Sequence, residues 1–396
     1  MWPRVRGAVV IDTDLFQQQA MAIPSERPVR MAHVLRDKGA EVHVVEWLRW
    51  QSGLPAQETR DGLHYDRVTL PVPAGGLLRR AAFLRRMSRV MADHIVQANP
   101  EGIAAGNEEL LRACVGARRR LGGVPLFYDS PENWVGMVAE DHPLEARLYA
   151  LAQRQLAPHI EHVFAPVEAV KEHWERLGVP ATMIYNSRDG VALRKHALPR
   201  AEAKRKLGLP EDAFVIGFLG SMHPQQGLAP CVQALAELPS DVRMVAIGGS
   251  DAERARLVEL AKAQRVADRL RILAPIPGDT WVEVPCAFDA ALLTVHGEGI
   301  NFEHRLPLKT FDYMALGIPT VVSDYTELRQ VVVERVGFGL PVTPGDSASI
   351  REAVLQLRAD EGLRRAMAKR AVEAFDSTYS GEKQKERLRA THPFWR

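Results

Sequence analysis

Along most of this chain, short apolar runs alternate with longer stretches whose apolar residues recur every three or four positions. Gly7 to Ile11 is the first such run and reads as a strand. Pro28 to Gly39 follows, with Val29, Met31, Ala32 and Leu35 on one helical face and Gly39 as a C-terminal stop. Glu41 to Val45 is the next strand. Others are read at Val124 to Tyr128, His162 to Ala165 and Ala181 to Tyr185. Strands separated by helices favour a parallel sheet with crossover connections. From Asn186 to Pro199 the periodicity is lost, as in a linker. A second alternation starts at Ala213 to Leu219 and runs through Arg243 to Ile247, Leu270 to Leu273, Ala290 to Val295 and Thr320 to Ser323, with a helix at Asp251 to Gln264. Ser347 to about Arg389 reads as almost wholly helical. The 396 residues therefore predict an α/β protein of two Rossmann-like domains, 1–190 and 200–380, facing each other across a cleft, with a helical tail over 381–396. A ligand is expected in that cleft.

The segment from Leu306 to Asp324 carries the most chemistry. It reads as a loop, an amphipathic helix, a tight Gly317-Ile318-Pro319 turn and a buried strand. The loop presents backbone N–H groups and Lys309 at a helix start, whose partial positive charge suits a phosphate. Asp312 lies one turn further on, where a carboxylate accepts hydrogen bonds from a sugar diol. Phosphates beside a diol describe a nucleotide sugar.

These residues resemble the donor site of retaining glycosyltransferases with the GT-B architecture, specifically glycosyltransferase family 4. That family usually carries a Glu where Asp312 stands, then a small-apolar helix, Gly-x-Pro and a strand. The resemblance covers Ala213 to about Tyr379 well and the first half in outline. It implies that Gly220-Ser221-Met222-His223-Pro224-Gln225-Gln226-Gly227 is the first donor loop, in which Gly220 and Gly227 let the backbone approach a diphosphate. The plain alternative is that both glycines serve only as turn residues. The family normally has Arg at the position of Ser221 and Lys at that of Gln226. Losing fixed cations beside a leaving diphosphate typically costs about 2–4 kcal/mol. Compensation is expected from Lys309, Arg305 and the backbone of the Pro307-Leu308 turn. The family's acidic pair is spaced by eight residues; counting back from Asp312 lands on His304, with Glu303 beside it. In Ala274-Pro275-Ile276-Pro277-Gly278, Ile276 stands where relatives hold the base through backbone groups, although a Pro-rich turn is an equal reading. His296 to Gly299 is expected to form a loop near the sugar.

The first half resembles the family more weakly. Arg27, just before the first helix, suits an anionic acceptor or simply a solvated helix start. Tyr128-Asp129-Ser130-Pro131-Glu132-Asn133-Trp134 follows a strand and resembles an Asp-x-His-Glu-like stretch without its His. Asp129 and Glu132 are expected to position the acceptor or polarise its hydroxyl; the bland reading is N-capping of the next helix by Asp129 or Ser130. A retaining transfer of this class is described as same-face attack, with the leaving phosphate helping to remove the acceptor proton. Asp12-Thr13-Asp14 looks like a metal-binding pair, but it sits at the first strand instead of after a nucleotide-binding half. No metal or cofactor is expected.

Charge adds little at the scale of the whole chain. A formal net charge of +2 gives no reason to invoke nucleic acid. Cys114, Cys231 and Cys286 lack metal-ligand spacing and read as thiols in a reducing compartment. No apolar run reaches the roughly 18 residues that span a bilayer, and Met1 to Arg6 leads into too short an apolar run for a signal core. A cytoplasmic location is expected, with the inner membrane face as an option. That option rests on residues 77–95: Arg79, Arg80, Arg85, Arg86 and Arg89 set against Phe83, Leu84, Met87, Val90, Met91 and Ile95. They make either an interfacial helix for anionic lipid or an ordinary crossover helix with a basic face. The function expected is transfer of a sugar from a nucleotide-diphosphate donor to a glycan, lipid-linked or small-molecule acceptor, with retention. The rivals are a catalytically silent nucleotide-sugar-binding subunit, suggested by Ser221, Gln226 and His304, and a GT-B nucleotide-sugar epimerase.

Overall fold

The computed structural model describes residues 6–12, 27–49, 53–73 and 76–396. They form two compact units. The first holds β1 (Arg6–Asp12), the residues from 27 to Tyr185, and Gln384–Arg396. The second holds Asn186–Lys383.

In the first unit β1 is joined by β2 (Glu41–Leu48), β3 (Gln57–Arg60), β4 (Leu63–Thr69), β5 (Gly102–Ala105), β6 (Leu126–Asp129), β7 (His162–Ala165) and β8 (Ala181–Met183). The sheet order is β3-β4-β2-β1-β5-β6-β7-β8, parallel except where β3 pairs antiparallel with β4. Strands β5 and β6 are buried at every residue, as expected for a sheet covered on both faces. The β3–β4 hairpin turns through Asp61 and Gly62 at φ of 52° and 73°. This is an Asp-Gly pair of the kind that closes two-residue hairpins.

The chain's end completes this unit's core. Leu388 and Trp395 are fully buried among Val9, Leu35, Phe127 and Phe164. Phe394 lies 5.4 Å from Phe127, ring centre to ring centre, and a Cβ on Gly102 would sit 2.4 Å from the Phe394 ring. Gly102 therefore leaves the space that Phe394 fills. The tail expected over 381–396 is thus helical at Gly381–Thr391, and from Gln384 onward it belongs to the first unit.

The second unit contains β9 (Phe214–Leu219), β10 (Val242–Ile247), β11 (Leu270–Leu273), β12 (Ala290–Leu293), β13 (Thr320–Ser323) and β14 (Gly339–Val342). Its sheet is wholly parallel in the order β11-β10-β9-β12-β13-β14. This is the doubly wound order, with its reversal point between β9 and β12. The linker region is less irregular than its sequence suggests. Gly190–Arg194 forms a short helix capped by Asp189, whose Oδ1 accepts from Ala192 N at 2.8 Å. Its Arg194 Nε donates to Ala315 O at 2.9 Å.

Candidate functional site

In a doubly wound sheet the ligand crevice lies outside the carboxyl ends of the strands, at the reversal point. In the second unit that point is flanked by the loops after β9 and β12. The two loops are tied together: His296 N donates to Gln225 O at 2.8 Å, and Thr294 Oγ1 donates to Gln226 O at 3.4 Å. Gly227 adopts φ of 70°, and a Cβ there would lie 1.6 Å from Thr294 O. No side-chain-bearing residue fits that crossing. Gly220 has φ of 124°, also outside the range of ordinary L-residues. The helix Leu228–Glu237 then starts directly on Gly227 with no side-chain cap.

The helix Leu308–Ala315 also begins without a side-chain cap, on Pro307. Both helix starts thus leave backbone N–H groups for an anion. Lys309 lies in the first turn of the second of these helices. Its Nζ donates to Gln226 Oε1 at 2.7 Å, sits 3.8 Å from the centre of the Phe218 ring, and is 3.9 Å from where Gly220 would carry a Cβ. Lys309 is buried, and burial pushes its pKa well below the usual lysine range, with the charge of nearby Arg305 adding to the effect. Arg305 itself is exposed. The Gly220 loop, Gly227, Gln226, Lys309 and Arg305 therefore belong to one cationic, N–H-rich corner.

Asp312 is buried on the same helix, and its Oδ1 accepts from Arg188 Nε at 3.1 Å. Arg188 in turn lies over the Trp281 ring. Next along the chain, Tyr313 OH accepts from Leu219 N at 2.9 Å and so fixes the end of β9 against this helix. Nothing in the sequence alone pairs Gln226 with Lys309 or Arg188 with Asp312. The partners are 83 and 124 residues apart.

The remaining expected donor residues lie in other parts of the second unit, with varied surroundings. Ser221, Ile276, Pro307 and Leu308 are half-buried in loops at the carboxyl ends of the strands or at the helix start. His304 is half-buried, and its Nδ1 makes no hydrogen bond among the described residues. Glu303 is exposed. Its Oε2 accepts from Thr326 Oγ1 at 2.6 Å and Thr326 N at 3.1 Å, and these bonds hold its pKa below the usual carboxylate range.

In the first unit, Asp129 ends β6 and is buried, whereas Glu132 is exposed. Asp129 borders a cavity of about 10 Å³ that it shares with Arg30, Met31, Phe164, Ile184 and Leu388. The next helix, Trp134–Asp141, is capped by Asn133 and not by Asp129 or Ser130, since Asn133 Oδ1 accepts from Gly136 N at 3.1 Å. Ser130 Oγ accepts instead from Trp174 Nε1 at 3.1 Å. Arg27 is the first residue of the helix Arg27–Asp37; its side chain, like those of Asp12 and Asp14, lies outside the described residues.

A buried polar chain in this unit has no counterpart in the sequence reading. Glu108 Oε2 accepts from Tyr128 OH at 2.9 Å and Gln153 Nε2 at 3.2 Å, and Gln153 Oε1 lies 2.7 Å from His173 Nε2. Burial raises the Glu108 carboxyl to about 7. Among the described residues no group of three His, Cys, Asp or Glu side chains is placed to hold a metal ion.

Comparison with known proteins matches both units to families. The model for "Glycosyl transferase 4-like domain" matches residues 25–186, and that for "Glycosyl transferases group 1" matches residues 199–374. The D-inositol 3-phosphate glycosyltransferase of Salinispora arenicola is 24% identical over 426 residues, covering 96% of this chain and 91% of that one. Among solved structures, sucrose-phosphate synthase from Thermosynechococcus elongatus superposes with a TM-score of 0.74 at 17% identity, covering 96% of each chain. Anabaena HepE in complex with UDP and glucose superposes with a TM-score of 0.71 at 16% identity, covering 98% of this chain and 99% of that one. These two likenesses are of fold.

Proposed function

The chain belongs to the GT4-type glycosyltransferases of GT-B architecture, and from that premise we propose that its second unit grips the diphosphate of a nucleotide sugar and that the sugar is transferred with retention. The observation that carries this reading is the cationic corner at the β9/β12 reversal point. There, two helix starts without side-chain caps, the Gly220–Gly227 loop and the buried Lys309 converge. Backbone N–H groups and a fixed cation aimed at one place stabilise the negative charge that grows on a departing diphosphate.

In the reaction proposed, the bond between the sugar C1 and the diphosphate oxygen breaks. A bond from C1 to an acceptor hydroxyl oxygen forms on the same face. The hydroxyl proton passes to the leaving diphosphate. Lys309, Arg305 and the amides of Leu308 and Lys309 take the diphosphate charge, and no metal is assigned to the step. Asp312 contacts the ribose diol, Ile276 offers backbone groups to the base, and Asp129 with Glu132 orients the acceptor. HepE is described with UDP and glucose, which favours a uridine donor among those to try first. The acceptor is a glycan, a lipid-linked sugar or a small polyol phosphate, the last suggested by the name of the Salinispora relative.

The test is calorimetry against UDP-, GDP- and ADP-sugars, followed by NMR of the product's anomeric configuration with the donor that binds. One donor is expected to bind and to give a product of unchanged configuration. Inversion would refute retention, and failure of all three classes to bind would refute the site.

A further inference from the structure

The helix Leu77–Gln97 spends its apolar face inside the protein. Met87, Met91 and Ile95 are fully buried, Phe83 and Leu84 are half-buried, and the helix packs along Glu108–Arg120. It is a crossover helix with a basic outer face, and among its described side chains no apolar stripe is left for lipid. The stripe is on another helix. In Pro143–Leu156, Leu144, Leu148 and Leu151 are 73%, 62% and 53% exposed. Their spacing of four and three residues sets them in one outward line. Arg147 and Arg154, both exposed, flank that line. Single exposed leucines are ordinary on a protein surface, whereas an aligned set rimmed by charge marks a docking site.

The two features share one surface. Arg80 Nη1 lies 3.3 Å from Glu145 Oε1, next to Leu144, and Arg80 Nη2 lies 3.6 Å from Glu109 Oε1. The helix Glu108–Arg120 packs against both of the others. These three helices carry eleven arginines against four acidic residues. Their excess of seven positive charges compares with +2 for the whole chain, so the rest of the protein is acidic. Counting Glu140 and Asp141 of the adjoining helix still leaves the face strongly basic. The cations are all arginines, whose long stems lie along apolar surface while the guanidinium reaches phosphate.

We propose that this face docks on an anionic lipid bilayer, with Leu144, Leu148 and Leu151 entering the headgroup boundary and Arg79, Arg85, Arg86, Arg89, Arg147 and Arg154 meeting lipid phosphates. Lipid phosphate complements the charge, and a shallow apolar ridge suits the headgroup region. No helix among the described residues is long and apolar enough to cross the membrane, so the attachment is to the surface. This inference is independent of the donor site.

The test is co-sedimentation of the full chain with vesicles of neutral phosphatidylcholine and with vesicles containing about 30% phosphatidylglycerol, over a range of salt. The parent is expected on the anionic vesicles and not on the neutral ones. The triple variant Leu144→Gln/Leu148→Gln/Leu151→Gln should partition about tenfold less or weaker still. Arg85→Gln/Arg86→Gln/Arg89→Gln should lose a similar factor and flatten the salt dependence. Because all six side chains are exposed, melting temperature and donor affinity in vesicle-free buffer should stay at parental values. Equal binding to neutral vesicles, or parental binding by either triple variant, overturns the proposal. So does a parental dimer that the leucine variant dissolves without any vesicle binding, since a second copy would then cover the ridge.

Discussion

Replacing Lys309 by Met, alone and with Gln226→Leu, separates a ligand-binding lysine from a structural one. Methionine keeps the length and the packing of the side chain but removes Nζ. The Lys309 Nζ to Gln226 Oε1 bond of 2.7 Å is buried at both ends. The single substitution therefore leaves Gln226 Oε1 unpaired, which costs about 1–3 kcal/mol. Against this, a basic group no longer has to be held out of water, so the expected net loss of folding stability is about 1 kcal/mol. Adding Gln226→Leu removes the orphaned acceptor and should bring stability back to within about 1 kcal/mol of the parent. Ligand affinity should follow a different course. A charge-assisted contact to a phosphate oxygen contributes about 1.5–3 kcal/mol, so nucleoside diphosphate binding should weaken by roughly 10- to 150-fold in both Lys309→Met variants. Urea unfolding supplies the stabilities and calorimetry the affinities.

Protonation gives a second readout from the same titrations. Burial favours the neutral amine in the empty protein. An arriving diphosphate favours the charged form. Binding should therefore take up a proton at pH values between the lysine's lowered pKa in the empty site and its higher value in the complex, and affinity should fall as pH rises through that window. Calorimetry in buffers of different ionisation enthalpy reports this uptake, and it should vanish in Lys309→Met. A double variant that binds the diphosphate as tightly as the parent would reduce Lys309 and Gln226 to a buried polar pair and refute the reasoning.

Three other outcomes follow from the geometry. Glu108 is buried with a carboxyl raised from 4.5 to about 7, so its contribution to stability is complete below pH 4.5 and is lost as pH rises through about 7; Glu108→Gln should remove that slope and be more stable than the parent at pH 8 by up to about 3 kcal/mol, checked by urea unfolding at pH 5 and 8. Asp312→Ala removes one hydrogen-bonded charge pair to Arg188 in a site where the two side chains are 11% and 3% exposed, and should destabilise the second unit by about 1–3 kcal/mol, read from its melting transition. Trp395→Ala should destabilise the first unit by about 3–5 kcal/mol, because Trp395 is wholly buried against Phe127; proteolysis of the folded chain would report it as faster cleavage.

The architecture was legible because parallel sheets covered on both faces favour near-continuous apolar strands: β9 and β12 are apolar throughout, β10 is broken only by Arg243, and the short β13 keeps Val321 and Val322 between buried Thr320 and Ser323. The β3–β4 hairpin was missed although Asp61-Gly62 marks it. Its strands, Gln57–Arg60 and Leu63–Thr69, mix polar residues at an edge of the sheet, where burial is incomplete and alternation weak. The closing of the first unit by Phe394 and Trp395 depends on the space at Gly102, a match between residues nearly 300 positions apart that no local pattern encodes. The basic face of residues 77–95 was visible on a helical wheel, but its apolar partner was not. A wheel shows which residues share a side, and only packing shows that Met87 and Met91 point inward while Leu144, Leu148 and Leu151 point out.

On the function proposed above, the Gly220–Gly227 loop keeps the electrostatics of a diphosphate site while its sequence signature changes. Read in one dimension, Ser221 and Gln226 look like two lost cations. In the folded unit, Gln226 is the residue that holds the Lys309 amine, by a neutral acceptor 2.7 Å away. A carboxylate there would have neutralised the lysine permanently, and an arginine or lysine would have repelled it. A neutral amide does neither: it satisfies one Lys309 N–H in the empty site at modest strength, and a dianion competes with it successfully because charge-assisted hydrogen bonds are roughly twice as strong as neutral ones. In the proposed site the cation comes from Lys309, in the first turn of the helix that starts at Leu308. A second amine at position 226 would have to share the buried space that the Lys309 amine already occupies. A chain with Gln226→Lys but Lys309 retained should therefore bind diphosphate no better than the parent, since two amines would share one desolvated corner and depress each other's protonation. Calorimetry on Gln226→Lys and on Gln226→Lys/Lys309→Met decides this: tighter binding by the single variant than by the double would show that the corner accommodates both charges and that Gln226 represents a loss after all.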